Sequence, residues 1–375
     1  MLNPPSRRDC LRLAVSASAF AAFGGLTRSS RAAEPDTGAV TKAVAAEPPG
    51  VVARRFIYEQ ADFPECHAST LVETDQGILA SWFGGTAEGR TDVDIYTARW
   101  QANAWSTPER VADGTAADDP QRHPCWNPVL FQPRQGPLLL FYKVGPRPFN
   151  WWGMVKTSTD QGKTWSTPHR LPDGFMGPVR AKPIELKDGT LLCGSSTEHA
   201  GWQVQMETTR EPLGPWTRTP PLNRAEEWGA IQPTLLPHSD TVFQILCRSR
   251  QGSILESWSS DTGNTWSPLA KTPLPNPSSG IDAVRLRDGR FALIYNHTTQ
   301  GRHLLNLALS EDGRKWAAAA VLENEPGEFS YPAIIQSRDG MLQMTYTWKR
   351  QRVRHLVADP AKLQLRPIVD GQWPA

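Results

Sequence analysis

The feature that most constrains this chain is a turn motif that returns about every fifty residues. Ser158-Thr-Asp160-Gln-Gly162-Lys-Thr-Trp165 and Ser259-Ser-Asp261-Thr-Gly263-Asn-Thr-Trp266 share the pattern S-x-D-x-G-x-T-W. Ser310-Glu-Asp312-Gly313-Arg-Lys-Trp316 is a copy one residue shorter, and Thr209-Arg-Glu-Pro-Leu-Gly214-Pro-Trp216 is a decayed one. The closing residues Trp165, Trp216, Trp266 and Trp316 stand 51, 50 and 50 residues apart, and Trp105 ends an earlier, looser unit. In such a motif the Asp carboxylate accepts backbone N–H bonds, the Gly supplies a positive φ, and the Trp packs into its own repeat. Asp160, Asp261 and Asp312 are therefore expected to be structural turn residues, not catalytic acids or calcium ligands.

Upstream of each turn an apolar strand, a turn and a second apolar strand recur. The phrase begins at Ser69, Pro128, Pro183, Pro233, Ala283 and Pro332, which makes six copies. Fifteen Trp, 33 Pro and 29 Gly in 375 residues suit short strands joined by tight turns. A four-strand unit repeated radially is a propeller, whose ring closure removes free sheet edges. The expected fold is all-β, a six-bladed propeller over residues 50–365 with a C-terminal tail at 366–375. The sixth copy has no Asp turn after it, so residues 51–60 are expected to return as its outer strand.

The N-terminus carries a different signal. Ser6-Arg7-Arg8-Asp9-Cys10-Leu11-Arg12 precedes an apolar stretch, Leu13 to Leu26, and then Ser30-Arg31-Ala32-Ala33. Basic, apolar and small-residue segments in that order read as a signal peptide over 1–33, of twin-arginine type, with periplasmic or secreted delivery; an ordinary Sec signal, which also gives export, and an uncleaved signal anchor are the alternatives. Residues 34–49 read as a flexible linker. After the leader, Cys66, Cys125, Cys193 and Cys247 remain, an even count that permits disulfides in an exported protein, with buried thiols as the alternative. A formal charge of +2 gives no basic field for nucleic acid or a membrane surface. No motif calls for a metal or a cofactor.

The first strand of every propeller blade lines the central axis, so equivalent positions converge on one mouth. Aligned on the Pro, they are His67-Ala68, Trp126-Asn127, Ala181-Lys182, Ile231-Gln232, Ile281-Asp282 and Ser330-Tyr331. Each alone is explained by a hydrated channel, whereas six polar groups around one concavity make a candidate site. Second strands end nearby with Lys143, Ser196, Glu198, Arg248, Arg250, Asn296, Tyr346 and Trp348. Arg248 and Arg250, with Arg180 and Lys182, suit the carboxylate of an acidic sugar, because a guanidinium meets it bidentately. Trp151, Trp152 and Trp348 offer faces on which sugar rings stack, or pack between blades.

Over roughly residues 50 to 360 the Asp turns, the period and the blade order resemble the sialidase, or neuraminidase, superfamily. More narrowly, Glu65-Cys-His-Ala-Ser-Thr-Leu-Val-Glu, Trp126-Asn-Pro-Val-Leu, Asn276-Pro-Ser-Ser-Gly and Ser330-Tyr-Pro-Ala-Ile-Ile resemble its bacterial and plant BNR-repeat branch. The resemblance implies that Tyr331 stands at the nucleophile, Arg248 at a carboxylate-binding arginine, and Asp92, in Gly-Arg-Thr-Asp-Val-Asp, near the acid/base position. Two positions depart from it. His67 occupies the place of the first-blade Arg, and Gln232 that of the Glu that activates the Tyr; a neutral amide cannot act as that base. His67, Tyr331 and Asp92 are the expected catalytic residues. Arg248, Arg250, Arg180, Lys182, Gln232, Asn127, Trp126 and Asp282 are the expected substrate-binding residues. The expected activity is exo-acting hydrolysis of a glycan at a terminal acidic sugar. Lyase action on a uronate, with His67 and Tyr331 as base and acid, and glycan binding without catalysis are the alternatives.

Overall fold

The computed structural model describes residues 47–115 and 121–374. The expected leader and all but the last residues of the expected linker lie outside them. No helix occurs among the described residues, and the strands form six sheets.

The first five sheets follow the chain in order. Blade 1 runs Glu65–Thr74, Gly77–Gly85 and Asp94–Gln101, with Ala104–Trp105 and Glu109–Ala112 outside. Blade 2 runs Cys125–Phe131, Leu138–Val144, Trp152–Ser158 and His169–Arg170, and blade 3 runs Ile184–Glu185, Leu191–Thr197, Gln203–Thr209 and Thr217–Arg218. Blade 4 is Ala230–Pro237, Phe243–Ser249, Ser253–Ser259 and Ala270–Pro275. Blade 5 is Asp282–Arg285, Phe291–Tyr295, Leu304–Ser310 and Trp316–Asn324, and Arg366–Pro367 adds a fifth strand antiparallel to Trp316–Asn324. The segment expected as a tail thus joins a sheet, and Ile368 and Trp373 pack on the apolar cluster between blades 4 and 5.

Blade 6 takes Phe329–Gln336, Leu342–Trp348 and Arg352–Ala358 from the end of the chain and its outer strand, Val51–Phe56, from the start. Val51 pairs with Ala358 and Phe56 with Arg354. The N-terminal strand closes the ring, as the missing sixth Asp turn led us to expect. Closure is also visible in the core, because one apolar cluster fills every junction between neighbouring blades. Leu79 shares a cluster with Leu130, Phe141 with Leu191, Leu192 with Leu235, Leu246 with Leu293, Leu307 with Ile334, and Ala333 with Trp82. Middle strands such as Leu138–Val144 are buried along their whole length, as a sheet covered on both faces requires.

The Asp motifs do local work. Asp160 Oδ1 accepts from Thr164 N at 2.9 Å while Gly162 N donates to Ser158 Oγ at 2.7 Å. Asp261 and Ser259 repeat the pattern with Thr265 N and Gly263 N, both at 2.9 Å. In the shortened copy Asp312 Oδ1 accepts from Arg314 N and Lys315 N. In the decayed copy Glu211 stands in place of the Asp, and the turn is tied by Thr209 Oγ1, which donates to Glu211 O and Pro215 O. These aspartates are turn residues. Cys66, Cys125, Cys193 and Cys247 are all free and buried, and burial pushes the Cys66 thiol up to about 12.

Candidate functional site

A strained residue sits at the mouth end of four inner strands. Ala68, Asn127, Gln232 and Tyr331 hold φ of 57°, 39°, 56° and 51°, and each lies inside a break in the ladder to the second strand. Left-handed φ at a non-glycine costs about 1–3 kcal/mol and gathers at functional sites. In three of the four the next residue is Pro, which has no N–H to lose in a bulge and holds the preceding residue away from right-handed helix. Hydroxyls of the preceding blade take up the freed amides: Ala68 N donates to Thr347 Oγ1 at 3.2 Å and Gln232 N to Ser196 Oγ at 3.2 Å.

Tyr331 is the centre of the resulting cluster. Its Oη accepts from Arg248 Nη1 at 2.6 Å and from Gln232 Nε2 at 3.5 Å, and Arg248 Nη1 also lies 3.4 Å from Gln232 Oε1. The guanidinium carbons of Arg180, Arg302 and Arg248 stand 5.4, 5.7 and 5.8 Å from the Tyr331 ring centroid. Arg302 Nη1 donates to Glu328 Oε1 at 2.9 Å, which also takes Arg350 Nε at 3.0 Å and Ser330 Oγ at 2.8 Å. Arg350 further pairs with Glu88. Burial alone would raise the Glu328 carboxyl, but Arg350 and Arg302 hold it below its ordinary range. Arg248 has no carboxylate within ion-pair distance among the described residues. Arg180 is 1% exposed and spends Nη2 on Pro332 O, while its Nε and Nη1 have no partner. Two guanidiniums without a counter-charge at a buried wall favour an anion, since an unpaired buried cation costs several kcal/mol.

His67 packs on Tyr331 with ring centroids 4.1 Å apart. Its Nδ1 lies 3.0 Å from Thr347 Oγ1, and its buried Nε2 has no partner. Burial, and then Arg350, Arg302, Arg180 and Arg248, hold its pKa well below the usual imidazole range, so His67 is neutral. His355, buried against Trp105, is likewise pushed down to about 3 by burial. Unfolded histidine takes a proton near 6.5 while these two stay neutral there in the fold, so stability is full above that pH and is lost as pH falls, for His355 down to about 3. Unfolding free energy is expected to drop by about 1.4 kcal/mol per pH unit for each such histidine. His355→Gln should shallow the slope in denaturant titrations between pH 6 and 4; an unchanged slope would refute its source.

The remaining expected residues divide. Arg250 reaches the rim, where its guanidinium lies 4.0 Å from the Trp202 ring. Asn127 is buried at its bulge. Asp92 is exposed on the loop 86–93, where its carboxylate accepts from Thr86 N at 3.0 Å and from the Thr86 hydroxyl; that hydroxyl bond keeps its pKa below the ordinary carboxylate value. Trp126 offers no sugar platform. It is 5% exposed, its Nε1 donates to Gly145 O at 2.8 Å, and it packs with Trp151, Met176 and Val179.

Lys182 and Asp282 neutralise each other across the channel at 2.9 Å. Asp282 also accepts from Thr234 Oγ1 and Ile334 N, both at 2.9 Å, and Lys182 lines a cavity of about 890 Å³ with the far ends of the inner strands. In blades 3 and 5 the left-handed residues are Arg180 and Ser278, short of the aligned position, so Lys182 and Asp282 lack the bulge that presents Gln232 and Tyr331. Asp282→Ala is expected to cost about 3–5 kcal/mol in denaturant unfolding by stranding Lys182.

Arg302, Arg350, Glu328 and Trp202 escaped the sequence reading. Among the described residues no three His, Cys, Asp or Glu side chains gather as metal ligands.

Similar proteins agree with this architecture. The crystal structure of a protein of unknown function from Dyadobacter fermentans DSM 18053 superposes with a TM-score of 0.68 at 18% identity, over 85% of this chain and all of that one. The Hadza microbial sialidase Hz136 gives 0.67 at 16% identity, over 80% of this chain and 66% of its own. The NanB sialidase of Streptococcus pneumoniae, as its K499G mutant, gives 0.66 at 12%, over 83% and 71%. At such identities the likeness establishes the sialidase-like propeller fold. No curated protein sequence matches the chain. The model of the BNR repeat-like domain matches residues 76–344, most of the propeller, and the chain belongs to that family.

Proposed function

We propose that this is an exported, glycan-active propeller that takes a terminal acidic sugar at the Tyr331 mouth and cleaves it as an exo-acting glycosidase. The observation that carries the reading is the Tyr331 phenol under Arg248 at 2.6 Å, with Arg180 and Arg302 also facing its ring. A sugar carboxylate satisfies Arg248 with the fork geometry guanidinium favours, and brings the anomeric carbon to Tyr331 Oη. Negative charge developing on Oη then faces Arg248.

Gln232 cannot take the phenol proton, so this reading assigns it to His67, whose unpartnered Nε2 belongs to a ring packed on Tyr331 and whose basicity rises when a bound carboxylate offsets the charge of Arg248 and its neighbours. Oη bonds to the anomeric carbon as the glycosidic C–O bond breaks, and water later releases the sugar. This reading has the leaving oxygen take its proton from solvent and assigns to Asp92 the proton of the water that then attacks. Held as a carboxylate by Thr86, it suits the base half of the cycle.

Gln232 favours a second reading, retention of the ligand without turnover. Incubation with glycans ending in sialic acid or in a uronate decides among the outcomes. A released acidic monosaccharide with a new reducing end supports the proposal, a new ultraviolet absorbance from an unsaturated uronate shows a lyase, and binding with no product shows a lectin-like propeller.

A further inference from the structure

The rim holds a second guanidinium directly beyond Arg248. Arg248 and Arg250 both lie over the indole of Trp202, at 4.9 and 4.0 Å from its centroid. Trp202 is nearly buried and cannot swing, because its Nε1 donates to Glu198 Oε2 at 2.8 Å. The stem of Arg250 lies along Gly229, where a Cβ would stand only 3.2 Å from its Cδ, and Arg250 N donates to Gly229 O at 2.9 Å. The arm is therefore laid down in one direction, although its residue is exposed. An aromatic face orients a cation without neutralising it. No carboxylate of the described residues lies within ion-pair distance of either guanidinium. Glu198 is the acidic group beside them; it is committed to Trp202, and burial raises its carboxyl above the ordinary range. With their guanidinium carbons 4.9 and 4.0 Å from one ring centroid, the two stand within about 9 Å of each other, close enough to meet neighbouring sugars of one glycan.

We propose that Arg250, laid on Trp202, forms a second oxyanion-binding subsite that takes the carboxylate or sulfate of the sugar next to the terminal one. The preferred ligands are then glycans with consecutive acidic residues. This rests on the acidic-sugar reading of the Tyr331 mouth and adds the residue that follows.

Calorimetric titration with matched thioglycoside-linked disaccharides, which resist cleavage, tests it. Sialic acid or glucuronate forms the terminal residue in each series, linked to galactose, to galacturonate or to 6-sulfogalactose. The full chain is expected to bind an acidic-penultimate member at least about tenfold more tightly than the galactose member at low salt, with the ratio shrinking as salt rises. Whichever of galacturonate and sulfogalactose gains more identifies the oxyanion. Arg250→Gln should bring the ratio close to one, and Trp202→Ala should lower it, with thermal melting confirming that both variants fold. A wild-type ratio near one, or a ratio that survives Arg250→Gln, overturns the second subsite alone. Failure of every member to bind the wild type overturns the mouth reading and this proposal together.

Discussion

Tyr331→Phe is expected to lower turnover of a terminal acidic glycan by at least about a thousandfold in kcat, the scale on which nucleophile losses fall. The substitution removes one atom. The Phe ring keeps the contact with His67, and the left-handed backbone at 331 and the apolar cluster around it are unchanged. Loss of Oη frees Arg248 Nη1 and Gln232 Nε2, both of which still meet the ligand carboxylate. Affinity for an uncleaved ligand should therefore change little while product formation stops. Full activity in this variant would remove Tyr331 from the chemistry.

The second large effect belongs to Arg248. Arg248→Gln is expected to weaken binding of the acidic ligand about a hundredfold, within the 2–5 kcal/mol that truncating one partner of a buried charge pair costs. A ligand whose carboxylate has been reduced to an alcohol should bind wild type and variant nearly alike. This contrast separates loss of a charge contact from general damage, because general damage weakens both ligands. Equal weakening of both ligands would mean that Arg248 holds the fold of the mouth and not the anion.

The scaffold was legible because its signals are local and repeated. Asp160, Asp261 and Asp312 bond their own turns, and their period counts blades without any knowledge of long-range contacts. Strand Val51–Phe56 could be placed by arithmetic alone, since one blade lacked an outer strand. The mouth was legible only where it sits on the same periodic phrase, as do His67, Gln232 and Tyr331.

Periodicity misled at Lys182 and Asp282, which occupy aligned positions without the bulge and answer each other's charge. Trp126 shows the same limit: its place in the column is right, but its ring is spent on a core contact and on Gly145 O. Arg302 and Arg350 lie off the phrase, Arg302 in the loop before Leu304–Ser310 and Arg350 in the left-handed turn Lys349-Arg350. Their convergence on Glu328 depends on how two blades meet, which no short window records. A weaker signal was available in the basic run Lys349-Arg350-Gln-Arg352, placed where a second strand returns from the mouth.

The central claim is that a terminal acidic sugar is held at Tyr331 by the arginines of blades 4 and 5. A crystal structure of the Tyr331→Phe protein with an uncleaved sialyl or glucuronyl disaccharide tests it most directly. The account predicts the ligand carboxylate within hydrogen-bonding distance of Arg248 and Arg302, with the anomeric carbon above the position of the missing Oη. A ligand seated in the 890 Å³ cavity at the opposite end of the channel, beside Lys182, would contradict it.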